Sequence, residues 1–520
     1  MDLSLLAREH GDKPAVVMAG SGTRLSYREL DEASNRIAHL FRDQGLGAGD
    51  HIAILMENRF EMLPVVFAAQ RTGLLYTPVN WHLSADEAAY IVSNCGAVLF
   101  IYSAALSGLA QAVLRRPNSV ESSFVVGDDS ADGADGADGD LLAHRDLFAA
   151  ASHHPTTPVP DEVEGVYMLY SSGTTGAPKG IVPALTGAPF GAGLGIDHVM
   201  RNAFGFGCDT VYLSPGPLYH AAPLGWTMGT IRNGGTAIVM ETFDAGAALS
   251  AISEYGVTHG QFVPTMFVRM LKLPDDVRSS HDVSSLKHVI HAAAPCPVEV
   301  KRAMIDWFGP IIVEFYAGSE GTGFFMIDTA DWLAHPGSVG KPLNGIPHIC
   351  DDEGRELPTG EVGTVWFSDV GRFNYHGEPA KTAAAFNDKG WNTLGDMGCL
   401  DSDGYLYLAA RRTDLIISGG VNIYPQEIED VLIMHPGVAD VAVIGIGDTE
   451  MGQCVFAVVE TPDQVDGGPQ LEAELIAHLR ERIAHYKVPR AVAFDAIPRL
   501  PSGKILRRDL VARYDRAGRS

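Results

Sequence analysis

Ten residues, Ser171–Gly180 (SSGTTGAPKG), restrict the fold of this chain more than any other stretch. They follow an apolar run, Val166-Tyr167-Met168-Leu169-Tyr170, that predicts one buried strand. Glycines let a backbone turn sharply and approach a ligand closely. Backbone N–H groups, hydroxyls and one lysine in such a turn can surround a polyphosphate. The pattern GxxxxGK[ST] does not fit, because Gly180 follows Lys179. A phosphate loop of another kind and a plain flexible loop both remain open on these residues alone.

Around that loop, helix and strand signals alternate. Ala15–Met18, Ile52–Leu55, Leu74–Pro78 and Val98–Tyr102 predict strands, and Gly20–Thr23 a turn. Ser26 with Glu29, and Ser84 with Glu87, have the spacing of capping boxes at helix starts. Phe60–Gln70 predicts a further helix. The alternation implies an α/β domain with parallel sheets. Ala131–Asp140 (ADGADGADGD) is low complexity and predicts an exposed loop, and His153–Glu162 (HHPTTPVPDE) reads as a Pro/Thr-rich connector. A domain boundary is expected near Arg411–Asp414. Beyond it come a helix (Pro425–Met434), strands (Ala439–Ile446, Cys454–Glu460), a helix (Leu471–Ala484) and a strand (Ala491–Phe494). That gives a large domain over 1–412 and a small α+β domain over 413–520.

The formal charge of −26 argues against nucleic acid and anionic membrane as partners. Cys95, Cys208, Cys296, Cys350, Cys399 and Cys454 form no CxxC pair, which predicts reduced thiols rather than a zinc or redox motif. The first residues lack the pattern of a signal peptide. No apolar run approaches the ~20 residues needed to span a bilayer. A cytoplasmic protein is expected.

Four further segments follow the loop in order: YAGSEG (Tyr316–Gly321), TLGD (Thr393–Asp396), RRTDLIISGGVNIYPQEIE (Arg411–Glu429) and PSGK (Pro501–Lys504). Together they span about 330 residues and resemble the motifs of the adenylate-forming enzymes. GGVNIYPQEIE and GLLYTPVNWHLSADE are most similar to the acyl-CoA synthetase branch. The resemblance implies ATP, Mg²⁺ and CoA as cofactor and co-substrates, and a mobile C-terminal lid. A homodimer is one allowed assembly.

Site residues carry over position by position. Ser171, Ser172, Gly173, Thr174, Thr175, Gly176 and Lys179 would hold the ATP phosphates. Ala293, Ala294 and Pro295 would meet the adenine edge, and Tyr316 with Ala317 its face. Ser319 would contact phosphate and Glu320 would bind Mg²⁺. Asp396 and Arg411 would hold the ribose. Lys504 would contact carboxylate and phosphate during adenylation, although a lysine in this setting otherwise reads as solvated. His220, Ala221, Gly225, Trp226 and Gly318 would line the acyl pocket, while simple core packing is the other reading of His220. Ser418, Gly419 and Gly420 would meet CoA, and Thr413 would be the hinge.

Several positions depart from the family. Thr413 stands where Asp or Lys is common, Ala410 where Gly is common, and Ser319 where Thr is common. Leu394 either interrupts the usual TGD or replaces a common apolar residue, and Pro183 lies where relatives often carry His. Lys487 and Arg490 read equally as CoA-phosphate contacts or a solvated edge. Pro217–Trp226 carries no acid that would bind an amino group, so an apolar acid fits better than an amino acid. The expected activity is an ATP-dependent acyl-CoA synthetase. An enzyme that loads a carrier protein and an inactive ligand-binding relative are the rivals.

Overall fold

The structure, a computed structural model, describes all 520 residues except 1, 128–144, 172–177, 183–184, 412–413, 420, 449, 500–504 and 518–520. The chain divides into two compact units. The first comprises Met1–Gln261, Asp275–His288 and Phe373–Thr382; the second comprises Phe262–Pro274, Val289–Arg372 and Ala383–Ser520.

The first unit is α/β. Ser122–Val126, Leu99–Ser103, His51–Leu55, Leu75–Pro78 and Val166–Tyr167 form a five-stranded parallel sheet in that order. The helices between these strands present apolar faces to it. Ala88, Ile91 and Val92 pack with Phe100, Tyr102 and Val113 in one core. Both expected capping boxes are present, on helices Tyr27–Asp43 and Ala85–Asn94. A second set of parallel strands joins Val211–Ser214, Thr236–Val239 and Pro14–Met18, with Arg24–Ser26 antiparallel to the last.

The expected strand Val166–Tyr170 is two strands. Val166–Tyr167 closes the parallel sheet, whereas Leu169–Ser171 pairs antiparallel with Lys179–Val182. Met168 is the switch. Its N–H donates to Tyr76 O, and Thr77 Oγ1 donates to its carbonyl at 2.8 Å. Ser171 therefore lies opposite Lys179, and the two ends of the glycine-rich segment sit side by side. Asn374–Tyr375 extends this small sheet.

In the second unit, His288–His291 and Ile312–Ala317 are parallel, and Phe324–Ile327 and Lys341–Asn344 follow antiparallel. A four-stranded sheet joins Ile346–Cys350, Gly363–Ser368, Asp396–Leu400 and Leu406–Arg411. The C-terminal region is a separate α+β layer. Val421–Ile423, Ile416–Ser418, Gly452–Glu460 and Asp440–Asp448 form its sheet, with Ala491–Phe494 beside Gly452–Glu460. Helix Arg507–Ala517 covers it through Leu510, packed on Ala442, Ile444 and Val458. The helix expected over Leu471–Ala484 runs Pro469–Arg480.

All six cysteines are free. Among the described residues no helix is long and apolar enough to cross a membrane. The Ala131–Asp140 repeat lies outside the described residues.

Candidate active site

The first unit holds the loop flanks and the segment expected to meet the acyl group. Lys179 opens its strand, and its Nζ lies 4.7 Å from the centre of the Tyr375 ring. At Gly180 a Cβ would come 2.5 Å from Met168 Cε and 2.9 Å from Tyr170 Cζ, so any larger residue would have to displace both side chains. Ser171 is placed by its backbone pairing alone, and Ser172, Gly173, Thr174, Thr175 and Gly176 lie outside the described residues.

His220 is the N-terminal flanking residue of helix Ala221–Arg232. Its ring centre is 4.5 Å from that of Tyr219, and its Nε2 is buried without a hydrogen-bond partner. Burial pushes the imidazole down to about 4, so it is neutral at physiological pH. Ala221 is half-buried and Gly225 buried. A Cβ on Gly225 would stand 3.2 Å from the Tyr167 hydroxyl. Trp226 instead packs inside an aromatic core, with Phe204 and Phe206 ring centres at 5.2 and 5.6 Å.

The second unit gathers the remaining groups. Tyr316 is the penultimate residue of a strand, Ile312–Ala317, that leads into the turn Gly318–Gly321. Its hydroxyl donates to Asp396 Oδ2 at 2.7 Å, and its ring packs against Phe325 and Phe367, which also touch each other. Asp396 is 8% exposed and pairs in register with Arg411. The turn before Asp396 is fixed locally: Gly395 has φ 78°, and its N–H donates to Thr393 Oγ1. Leu394, which breaks the usual wording, is explained by packing. A Cβ on Gly318 would come 2.7 Å from Leu394 Cδ1 and 3.0 Å from Glu320 Oε2, so the Leu394 side chain packs directly against the Gly318–Gly321 turn.

Glu320 is half-buried, while Ala317 and Ser319 are exposed. Ala293 adopts φ 76°, a conformation that costs energy for a residue with a Cβ, and exposes the segment Ala293–Pro295. Ser418 and Gly419 sit at a strand turn, where Gly419 has φ 57° and donates its N–H to Met451 O. Gly420, Thr413 and Lys504 lie outside the described residues.

Comparison with known proteins decides the family. A model described as AMP-binding enzyme matches residues 5–374, and one described as AMP-binding enzyme C-terminal domain matches 427–504. The chain belongs to the AMP-binding enzyme family. It is 32% identical to the fatty acid–[acyl-carrier-protein] ligase ScoC of Streptomyces coeruleorubidus, covering 98% of this chain and 95% of that one. It is 32% identical to the long-chain-fatty-acid–CoA ligase FadD13 of Mycobacterium tuberculosis, over 96% and 95%. ATP-bound MatB from Rhodopseudomonas palustris has a similar fold, with a TM-score of 0.79, 26% identity and 99% of each chain covered.

As an AMP-binding enzyme, the chain offers a donor set that suits a nucleotide and a hard cation. The Tyr316 ring, the buried Asp396 carboxylate and the exposed segment Ala293–Pro295 lie in one unit. The half-buried Glu320 carboxylate suits Mg²⁺, which prefers oxygen ligands and keeps several waters and substrate phosphates in its shell. Lys487 and Arg490 are matched within their own unit. Lys487 donates to both Glu427 oxygens at 2.6 Å, and Arg490 pairs with Asp448.

Proposed function

We propose that this AMP-binding enzyme is an AMP-forming acyl-CoA ligase for an apolar carboxylic acid. The acid's carboxylate attacks the α-phosphorus of ATP, and pyrophosphate leaves. The thiol of CoA then attacks the acyl carbon, and AMP leaves. Both steps join anions, so charge neutralisation, alignment and exclusion of water are the enzyme's tasks.

The observation that carries the reading is the Tyr316–Asp396 hydrogen bond, which joins two of the carried-over motifs in one structural unit. Tyr316, Ala317 and Ala293–Pro295 hold adenine, Asp396 and Arg411 hold the ribose, and Ser171–Gly176 with Lys179 and Ser319 hold the phosphates. Glu320 holds Mg²⁺, which supplies positive charge to those phosphates when bound. Lys504 neutralises the carboxylate and phosphate in the first step. His220, Ala221, Gly225 and Gly318 border the acyl group, and a neutral His220 suits an apolar chain. Trp226 supports that region from the core side.

Domain 413–520 is a lid that turns at Thr413 between the two steps, and brings Ser418–Gly420 to CoA for the second. Six free thiols are in keeping with a reducing cytoplasm.

A second reading has its own support, since the similar ScoC is named for an acyl-carrier-protein acceptor. The test supplies one activated acid with either CoA or a phosphopantetheine-bearing carrier protein. Faster thioester formation on CoA supports the ligase proposed here. Faster loading of the carrier protein assigns the chain to the second reading.

A further inference from the structure

Charged side chains rarely enter a protein interior without a partner. Next to the segment Ala293–Pro295 three ionisable residues are buried together. His291 and Glu314 face each other in register on the parallel strands His288–His291 and Ile312–Ala317. Lys301, from helix Val298–Phe308, donates to Glu314 Oε2 at 2.6 Å, and His291 Nε2 lies 3.5 Å from the same oxygen. Lys301 and His291 are wholly buried, and Glu314 is 5% exposed. The Lys301 ammonium also lies 4.9 Å from the Trp332 ring centre. Phe267 meets His291 edge-on at 5.4 Å, and neither imidazole nitrogen has a hydrogen-bond partner.

This arrangement is an expensive way to fill a core. Apolar residues of the same volume commonly stabilise a fold as well as a buried ion pair does. A buried pair instead supplies direction, because a 2.6 Å contact between helix and strand fixes their relative position. Strand periodicity carries that constraint to the site. Glu314 and Tyr316 project from the same face of their strand, and His291 is the last residue of the strand that runs directly into Ala293–Pro295.

We propose that Lys301, Glu314 and His291 are positioning residues for nucleotide binding. They hold the ends of two strands so that Ala293–Pro295 and Tyr316 form a ready-made slot for the adenine ring. The proposal rests on the reading of those residues as the adenine half of the site.

Two variants test it. Lys301→Met with Glu314→Gln removes both charges together and avoids leaving one buried alone. His291→Phe keeps a planar ring and removes two buried nitrogens without partners, so its melting temperature should be unchanged or higher. ATP binding is measured by calorimetry beside the KM values for ATP, acid and CoA. The double variant should bind ATP about tenfold more weakly and His291→Phe about threefold, with the acid and CoA KM values within about twofold at saturating ATP.

Unchanged ATP affinity in either folded variant would overturn the proposal. An equal loss for all three substrates would do the same, since it marks a general structural role. If the wild-type protein itself does not bind ATP, the adenine reading fails first. If the wild type binds and the variants match it, only the positioning role falls.

Discussion

The Tyr316 hydroxyl is one donor to a carboxylate that is 8% exposed. Hydrogen bonds to charged groups contribute about 1.5–3 kcal/mol. Tyr316→Phe should therefore raise the ATP KM by about tenfold or more while leaving the CoA KM near its original value; steady-state kinetics in each substrate checks this. Lys504→Ala should slow adenylation by ~10²–10³-fold, the usual cost of removing one electrostatic stabiliser. Acyl transfer from pre-formed acyl-AMP to CoA should survive that change, and comparing the two half-reactions is the measurement. At this scale the sequence was partly legible. Tyr316 and Asp396 stand in recognisable wording, and the structure joins them. Lys301, Glu314 and His291 gave no signal, because a lysine on an amphipathic helix reads as solvated until its partners are known. Leu394 looked like an interruption until its contact with Gly318 was visible.

Among the elements, helices Gly195–Phe204 and Ala221–Arg232 are locked by one ion pair. Arg232 donates to both Asp197 oxygens at 2.7 Å, and both side chains are almost wholly buried. Arg232 also donates to Gln70 Oε1 at 2.9 Å. Removing one partner of a buried pair leaves an unmatched charge and costs about 3–5 kcal/mol. Asp197→Ala should lose that much stability in urea unfolding, and replacing Arg232 with Leu in the same chain should recover part of it. Signals held within a few residues were legible: the boxes Ser26/Glu29 and Ser84/Glu87 formed as spaced. The break at Met168 was not, because a continuous apolar run says nothing about which sheet each half will join. Tyr76 and Thr77, some ninety residues upstream, make that choice.

Across the whole molecule, four buried imidazoles weaken the fold in acid and outnumber the carboxyls of Asp430 and Glu162, which burial pushes up to about 7 and about 6 and which act the other way. Burial pushes His51, His220 and His259 down to about 4, and holds His291 well below its ordinary value. The unfolded chain binds these protons near the ordinary value of 6.5, so it holds more protons than the folded one between 6.5 and 4. Stability from these groups is complete above pH 6.5 and is lost as pH falls toward 4. The urea midpoint should be lower at pH 5 than at pH 7.5, and an equal or higher midpoint at pH 5 would contradict the assignment. At the same scale, a chain of formal charge −26 must attract anionic ATP through local groups alone. The central claim is that an apolar acid is activated here as an acyl adenylate. Acid-dependent exchange of labelled pyrophosphate into ATP tests it most directly, across a panel of aliphatic, cyclic and amino acids. Exchange that requires an apolar acid and exceeds that with every amino acid is the predicted result. ATP binding without exchange for any acid, or fastest exchange with an amino acid, would contradict it.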